Sequence, residues 1–133
     1  MKADTGGDDN VWQGVEALFQ YLAACRLEEA IACFAPGADV ALFGSEISEA
    51  FVGPEALRAF LTKILRRSAG PRIRLLDRRM TRHGDVAWFT ADAEVTVGGV
   101  RISPYRLTGV LEKQDGRWLW RLFNGSEPLP DRV

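Results

Sequence analysis

A chain of 133 residues, 47% of them apolar, has room for one domain with a single core. Its formal net charge of −1 excludes wholesale steering to nucleic acid or acidic membranes. No apolar run resembles a secretory signal or reaches membrane-spanning length, so a soluble cytoplasmic protein is expected.

Residues 1–8 are rich in Gly and Asp and read as a disordered tail, with a single domain over 9–128 and a short tail at 129–133. Asp9 or Asn10 can cap a first helix running to about Ala24, with Val15, Leu18, Phe19 and Leu22 on one face. A second helix spans Leu27 to Phe34 and is stopped by Pro36-Gly37. Short strands follow at Val40 to Phe43 and Ile47 to Val52, around Gly44-Ser45. Pro54 then opens the clearest helix, with Glu55 at its positive end and Lys63, Arg66 and Arg67 at the other. Its buried stripe is Leu57, Phe60, Leu61, Ile64 and Leu65.

Beyond Gly70-Pro71 only strands remain: Arg72 to Arg82, Val86 to Val97, Val100 to Gln114 and Arg117 to Ser126. They are joined by His83-Gly84-Asp85, Gly98-Gly99 and Asp115-Gly116, all compatible with tight hairpins, which predicts an antiparallel meander. The last strand is apolar on both faces through Trp118, Leu119, Trp120, Leu122 and Phe123, so each face needs a cover. Helices first and a long curled sheet afterwards is an α+β layout: a cone-shaped antiparallel sheet closed by three N-terminal helices, with a hollow between the layers.

Cys25 and Cys33 read as buried helical thiols, without the spacing of a metal pair. His83 is the only histidine and reads as an exposed turn residue, so no Ser/His or Cys/His nucleophile pair is expected and a histidine-rich metal site is excluded. Residues 58–82 carry nine bases against one acid, whereas 1–57 carry ten acids against two bases. Arg72, Arg74, Arg78 and Arg82 alternate with apolar residues as on a solvated strand edge. No aromatic residue interleaves with them, so an acidic protein surface suits this block better than nucleic acid.

Four runs in order, "FAPGADVALFG", "FVGPEALRAFL", "HGDVAWFTADAEV" and "LEKQDGRWLWRLFNGSEP", resemble the nuclear-transport-factor-2-like superfamily in its SnoaL-like branch, over about residues 10–128. The resemblance implies a conical α+β barrel with a pocket for a small apolar ligand and no cofactor, commonly dimeric through the outer sheet face. Its members include ketosteroid isomerases, polyketide cyclases, epoxide hydrolases, dehydratases and a kinase association domain, so fold does not settle function. The proton-abstracting carboxylate of ketosteroid isomerase falls on Leu42 and its oxyanion-binding tyrosine near Leu18; neither leucine can do that chemistry. Asp39, three residues earlier, reads as a substitute base or as a solvated loop residue.

Along the second long strand Trp88, Thr90, Asp92 and Glu94 share one face, with Phe89, Ala91, Ala93 and Val95 on the other. Likeness to the association domain turns the Glu94 face toward the hollow, together with Tyr105, Leu107, Gly109, Leu119, Arg121 and Phe123. The implied pocket is lined by Leu18, Leu22, Leu42 and Phe60 together with Trp88, Thr90, Tyr105, Leu107, Leu119 and Phe123. Asp92, Glu94 and Arg121 then form a candidate catalytic trio, read either as a carboxylate held by Arg121 for acid–base work or as a structural ion pair. Trp118, Trp120, Leu122 and Asn124 would face outward and form a homodimer interface, Asn124 replacing the histidine of the branch's usual H-x-S-x-P ending. A dimerisation or ligand-sensing module without catalysis is the alternative reading. A register slip of one residue would turn every one of these side chains to the opposite face.

Overall fold

The computed structural model describes residues 3–66 and 69–131. Helices α1 (Ala3–Ala23), α2 (Leu27–Ala32) and α3 (Pro54–Leu65) alternate with the short strands β1 (Ala41–Phe43) and β2 (Ala50–Val52). Four long strands follow, β3 (Arg72–His83), β4 (Val86–Val97), β5 (Val100–Gln114) and β6 (Arg117–Ser126). They form one six-stranded sheet in the order β2-β1-β6-β5-β4-β3, antiparallel throughout except where β1 runs parallel to β6. The meander and its turns follow the sequence reading, and the β1–β2 hairpin extends the sheet beyond β6.

Helix α2 ends at Ala32, two residues short of the expected Phe34, and His83 closes β3 instead of sitting in the turn; two boundaries differ more. Helix α1 reaches back to Ala3, so most of the expected N-terminal tail is helical, and Asp9 and Asn10 lie inside the helix instead of capping it. Strand β2 is shorter than expected because residues 45–48 form a bend, which leaves Ile47 fully exposed. Residues 129–131 carry no helix or strand. Positions 1–2 and 132–133 of the expected tails, and Arg67 of the basic block, lie outside the described residues.

Three register shifts decide which way side chains point. One extra residue at Leu76-Asp77 in β3, one near Pro104 in β5 and one at Arg121 in β6 each break the simple alternation. The β5 shift coincides with a proline that has no N–H to give to the ladder. Past the β3 bulge, Arg78 and Arg82 share the face of Ile73 and Leu75 instead of opposing it. Arg78 lies 4.3 Å over the Trp12 ring and pairs with Glu16 of α1, and Arg82 lies 5.1 Å over Trp118. With Arg58 on Glu28 and Arg74 on Glu94, much of the basic block is paired within the chain.

The core lies between the inner face of the sheet and the helices. On β4 the buried set is Ala87, Phe89, Ala91, Ala93 and Val95, which corrects the expected orientation: Trp88, Thr90, Asp92 and Glu94 face outward. The apolar set is the one whose burial is favourable, and no partner offsets the desolvation of the acids on that side. The outward assignment of Trp118 and Trp120 is likewise corrected. Trp120 is 0% exposed, its ring centroid 5.5 Å from Phe89, 5.9 Å from Phe19 and 5.3 Å from Phe123, and Trp118 is buried under Arg82. The bulge at Arg121 is what lets Trp120 and Phe123 point to the same side. Cys33 is buried, and burial pushes its thiol up to about 11. Cys25 is exposed and at positive φ just past α1, so the expectation that it is a buried helical thiol is also corrected.

Candidate functional site

Between α3, α1 and the concave sheet face lies a cavity of about 210 Å³. Its body is apolar: Leu18 and Leu22 from α1, Leu42 from β1, Phe60 and Ile64 from α3, and Val95 and Phe123 from the sheet. The spacing of the α3 stripe explains the roof, since Leu57 and Leu61 are buried while Phe60 and Ile64 at the stripe edge remain partly open. Phe60 is held by stacking on Phe51 of β2, centroids 4.3 Å apart.

One end of the cavity is polar. Ser45, Glu46 and Glu49 come from the β1–β2 turn, Tyr105 from β5, and Glu127 from the residue just past β6. The Ser45 hydroxyl donates to Glu127 Oε2 at 2.5 Å, which ties the turn to the end of the sheet. The Glu46 N–H donates to Glu49 Oε1 at 3.2 Å and orients that carboxylate. Two glycines make the closure possible. A Cβ at Gly125 would meet the Tyr105 hydroxyl at 2.0 Å, and one at Gly44 would meet Glu49 Oε1 at 2.2 Å. Burial, reinforced by the negative charge of Glu49 and Glu127, pushes the Tyr105 phenol up to about 12. At neutral pH it therefore keeps its proton and is a hydrogen-bond donor.

The structure places the expected site residues unevenly. Leu18, Leu22, Leu42, Phe60, Tyr105 and Phe123 line the cavity as anticipated. Leu107 and Leu119 are buried without lining it. Trp88 and Thr90 are on the outer face, where Trp88 is 41% exposed and stacks on His83 at the end of β3. The trio of Asp92, Glu94 and Arg121 is not assembled. Glu94 pairs with Arg74 and Arg101, and Asp92 stands 4.0 Å from Arg106 with both side chains exposed. Arg121 instead grips Glu112 through two hydrogen bonds of 2.7 and 2.9 Å, and Asp39 through a third of 2.7 Å. These bonds hold the Glu112 carboxyl below its usual range, and the Arg121 guanidinium above its own. The expected Arg121–Glu94 pair is not formed; Arg121 clamps the 36–39 loop to β5 and β6.

Sequence reasoning missed Ser45, Glu49, Glu127 and Gly125. The only signal is the concentration of acids in the first 57 residues and the Gly125-Ser126-Glu127 run that ends β6. A larger depression of about 300 Å³ lies between α1 and β3, but two of its rim arginines, Arg74 and Arg78, are already paired with Glu94 and Glu16. The smaller apolar cavity is the better site. Among the described residues no three His, Cys, Asp or Glu side chains are grouped to hold a metal ion, and no helix is long and apolar enough to cross a membrane.

A curved, unclosed sheet roofed by three helices around such a cavity is the architecture of the nuclear-transport-factor-2-like proteins, also described as cystatin-like. A model of the SnoaL-like domain matches residues 11–128, and the chain belongs to that family. An NTF2-like protein of unknown function from Pseudomonas putida KT2440 superposes with a TM-score of 0.78 at 19% identity, over 95% of this chain and 89% of that one. A protein of the same family from Streptomyces avermitilis, proposed to be a dehydratase, gives 0.83 at 16% identity, over 92% and 96%. A cystatin-like protein of unknown function from Nostoc punctiforme gives 0.74 at 20% identity, over 91% and 90%. At these identities the likeness is one of fold. No curated protein matches the chain.

Proposed function

We propose that the chain binds a small, mainly apolar molecule in the cavity under α3 and can exchange protons with it through Tyr105 and the carboxylates of Glu49 and Glu127. The observation that carries this reading is the convergence of a protonated phenol and acids from separate elements on one end of an otherwise apolar cavity. A carboxylate there serves as a base, and the phenol donates to an oxygen gaining charge, so enolisation, cyclisation or dehydration next to a carbonyl is the chemistry the set suits. No cofactor is needed for such steps. The positions equivalent to the ketosteroid isomerase pair, Leu18 and Leu42, only supply apolar wall. Asp92, Glu94 and Arg121 play no part in this proposal.

The test is occlusion. A small cyclic probe present at about 100 times its Kd stabilises the protein by about 2.7 kcal/mol, or roughly 10 °C in Tm for a domain of this size. Ile64→Trp should fill the cavity from α3, abolish that shift and leave the far-UV spectrum intact. A probe that still raises the Tm of a folded Ile64→Trp protein contradicts the reading.

A second reading concerns assembly. Trp88 and Val86 are 41% and 40% exposed on the outer sheet face, adjacent to the half-buried Val110 and, through it, Leu122. This apolar strip suits a second copy of the chain, with Leu122 and Asn124 keeping the interface role expected of them while Trp118 and Trp120 do not. Trp88→Glu should convert a dimer to a folded monomer in sedimentation velocity. An unchanged sedimentation coefficient rules out this face.

A further inference from the structure

We infer that the cavity selects a ligand with a protonated amine or other organic cation at one end of its apolar body, an inference that rests on the pocket reading above. Among the described residues, no Lys, Arg or His lines the cavity, whereas Glu46, Glu49 and Glu127 all lie at its polar end. By contrast Glu16, Glu28, Glu94 and Glu112, which lie elsewhere on the molecule, each pair with an arginine. The Glu127 and Glu49 carboxylates are instead bonded to a hydroxyl and to the Glu46 N–H, neither of which carries a positive charge.

The cavity supplies the site, and the acids decide the charge of its occupant. An anionic head placed there would face like charges with no compensating cation among the described residues, and its desolvation would go unreturned. A cationic head would meet the half-buried Glu49, where the attraction is stronger than in open water, with the exposed Glu46 and Glu127 at the rim. Tyr105 reinforces the preference, since a neutral phenol offers its oxygen to a cation without adding a competing positive charge. A bare metal ion suits the cavity less well, for its acids are not gathered as a ligand set. At about 210 Å³ the space is below the roughly 300 Å³ at which drug-sized sites begin, which suits a ligand body of a ring or two.

The test compares cyclohexylmethylamine, cyclohexylmethanol and cyclohexanecarboxylate, which share a ring and differ in the charge of the head. Titration calorimetry on the full chain at neutral pH should show the amine binding at least about tenfold more tightly than the alcohol, with the carboxylate weakest. Added salt should weaken the amine and leave the alcohol unchanged. Glu49→Gln and Glu127→Gln keep the shape of the rim, and each should bring the amine and alcohol affinities closer together. Equal or tighter binding of the alcohol or carboxylate overturns the charge inference while sustaining the pocket. Failure of all three to bind overturns both.

Discussion

Trp120→Ala is expected to destabilise the protein by about 4 kcal/mol, a large part of the roughly 5–15 kcal/mol that holds a domain of this kind folded. The indole is 0% exposed and packs against Phe19, Phe34, Phe89 and Phe123, bridging α1, the segment after α2, and the sheet. Its backbone also joins β6 to that segment. The Trp120 N–H donates to the Cys33 carbonyl at 2.8 Å, and the Ala35 N–H donates to the Trp120 carbonyl at 2.7 Å. Alanine keeps those two bonds and loses the ring, so the cost measures the cavity left behind. The indole N–H is buried among the described residues without a hydrogen-bond partner, so Trp120→Phe loses volume but no hydrogen bond and should cost only about 1–2 kcal/mol. Urea unfolding of both variants checks the pair. A Trp120→Ala protein within 1 kcal/mol of wild type would place the ring at an exposed surface, as the simple alternation of β6 suggests.

The second large effect is at Arg121. Its side chain is 17% exposed and that of Glu112 is 29% exposed, so the pair is partly shielded from water. Arg121→Leu strands Glu112 and releases Asp39, and should cost about 2 kcal/mol at neutral pH, the range for hydrogen bonds to charged groups. The pH dependence has a definite sign. Arg121 lowers the folded-state pKa of Glu112 below its ordinary value of 4.5, so the folded protein binds the proton less tightly than the unfolded chain does. The pair's contribution is therefore complete above about pH 4.5 and is lost as pH falls through the lower folded value. Stability of wild type and variant should differ by a constant amount from pH 5 to 7 and converge below it. A gap that widens in acid would contradict the assignment of Glu112 as the partner.

How much of this was legible in the sequence depends on what each residue needed to be placed. Strand limits and hairpins could be read because Asp115-Gly116 and Gly98-Gly99 have the backbone freedom those turns demand, and α3 because Pro54 and the Leu57–Leu61 stripe agree. Facing failed where alternation failed. One added residue at Leu76-Asp77 carries Arg78 and Arg82 inward, and another at Arg121 turns Trp120 into the core; neither shift has a glycine or proline to announce it. On β4 the alternation itself was sound. The Ala87, Phe89, Val95 set was the apolar one, and likeness to an association domain outweighed that simpler cue. The polar end of the cavity escaped for another reason. Ser45 and Glu49 lie in a bend and Glu127 beyond the last strand, where no periodicity fixes direction, and only tertiary closure over Gly44 and Gly125 brings them to Tyr105.

The most direct measurement is the location of a bound probe by amide and methyl NMR, in wild type and in Ile64→Trp. Cyclohexylmethylamine should shift signals of Leu42, Tyr105 and Phe123 in wild type and none of them in the occluded variant. Shifts confined to Trp88, Val110 and Leu122 on the outer sheet, or shifts that persist unchanged in Ile64→Trp, would contradict the cavity as the functional site.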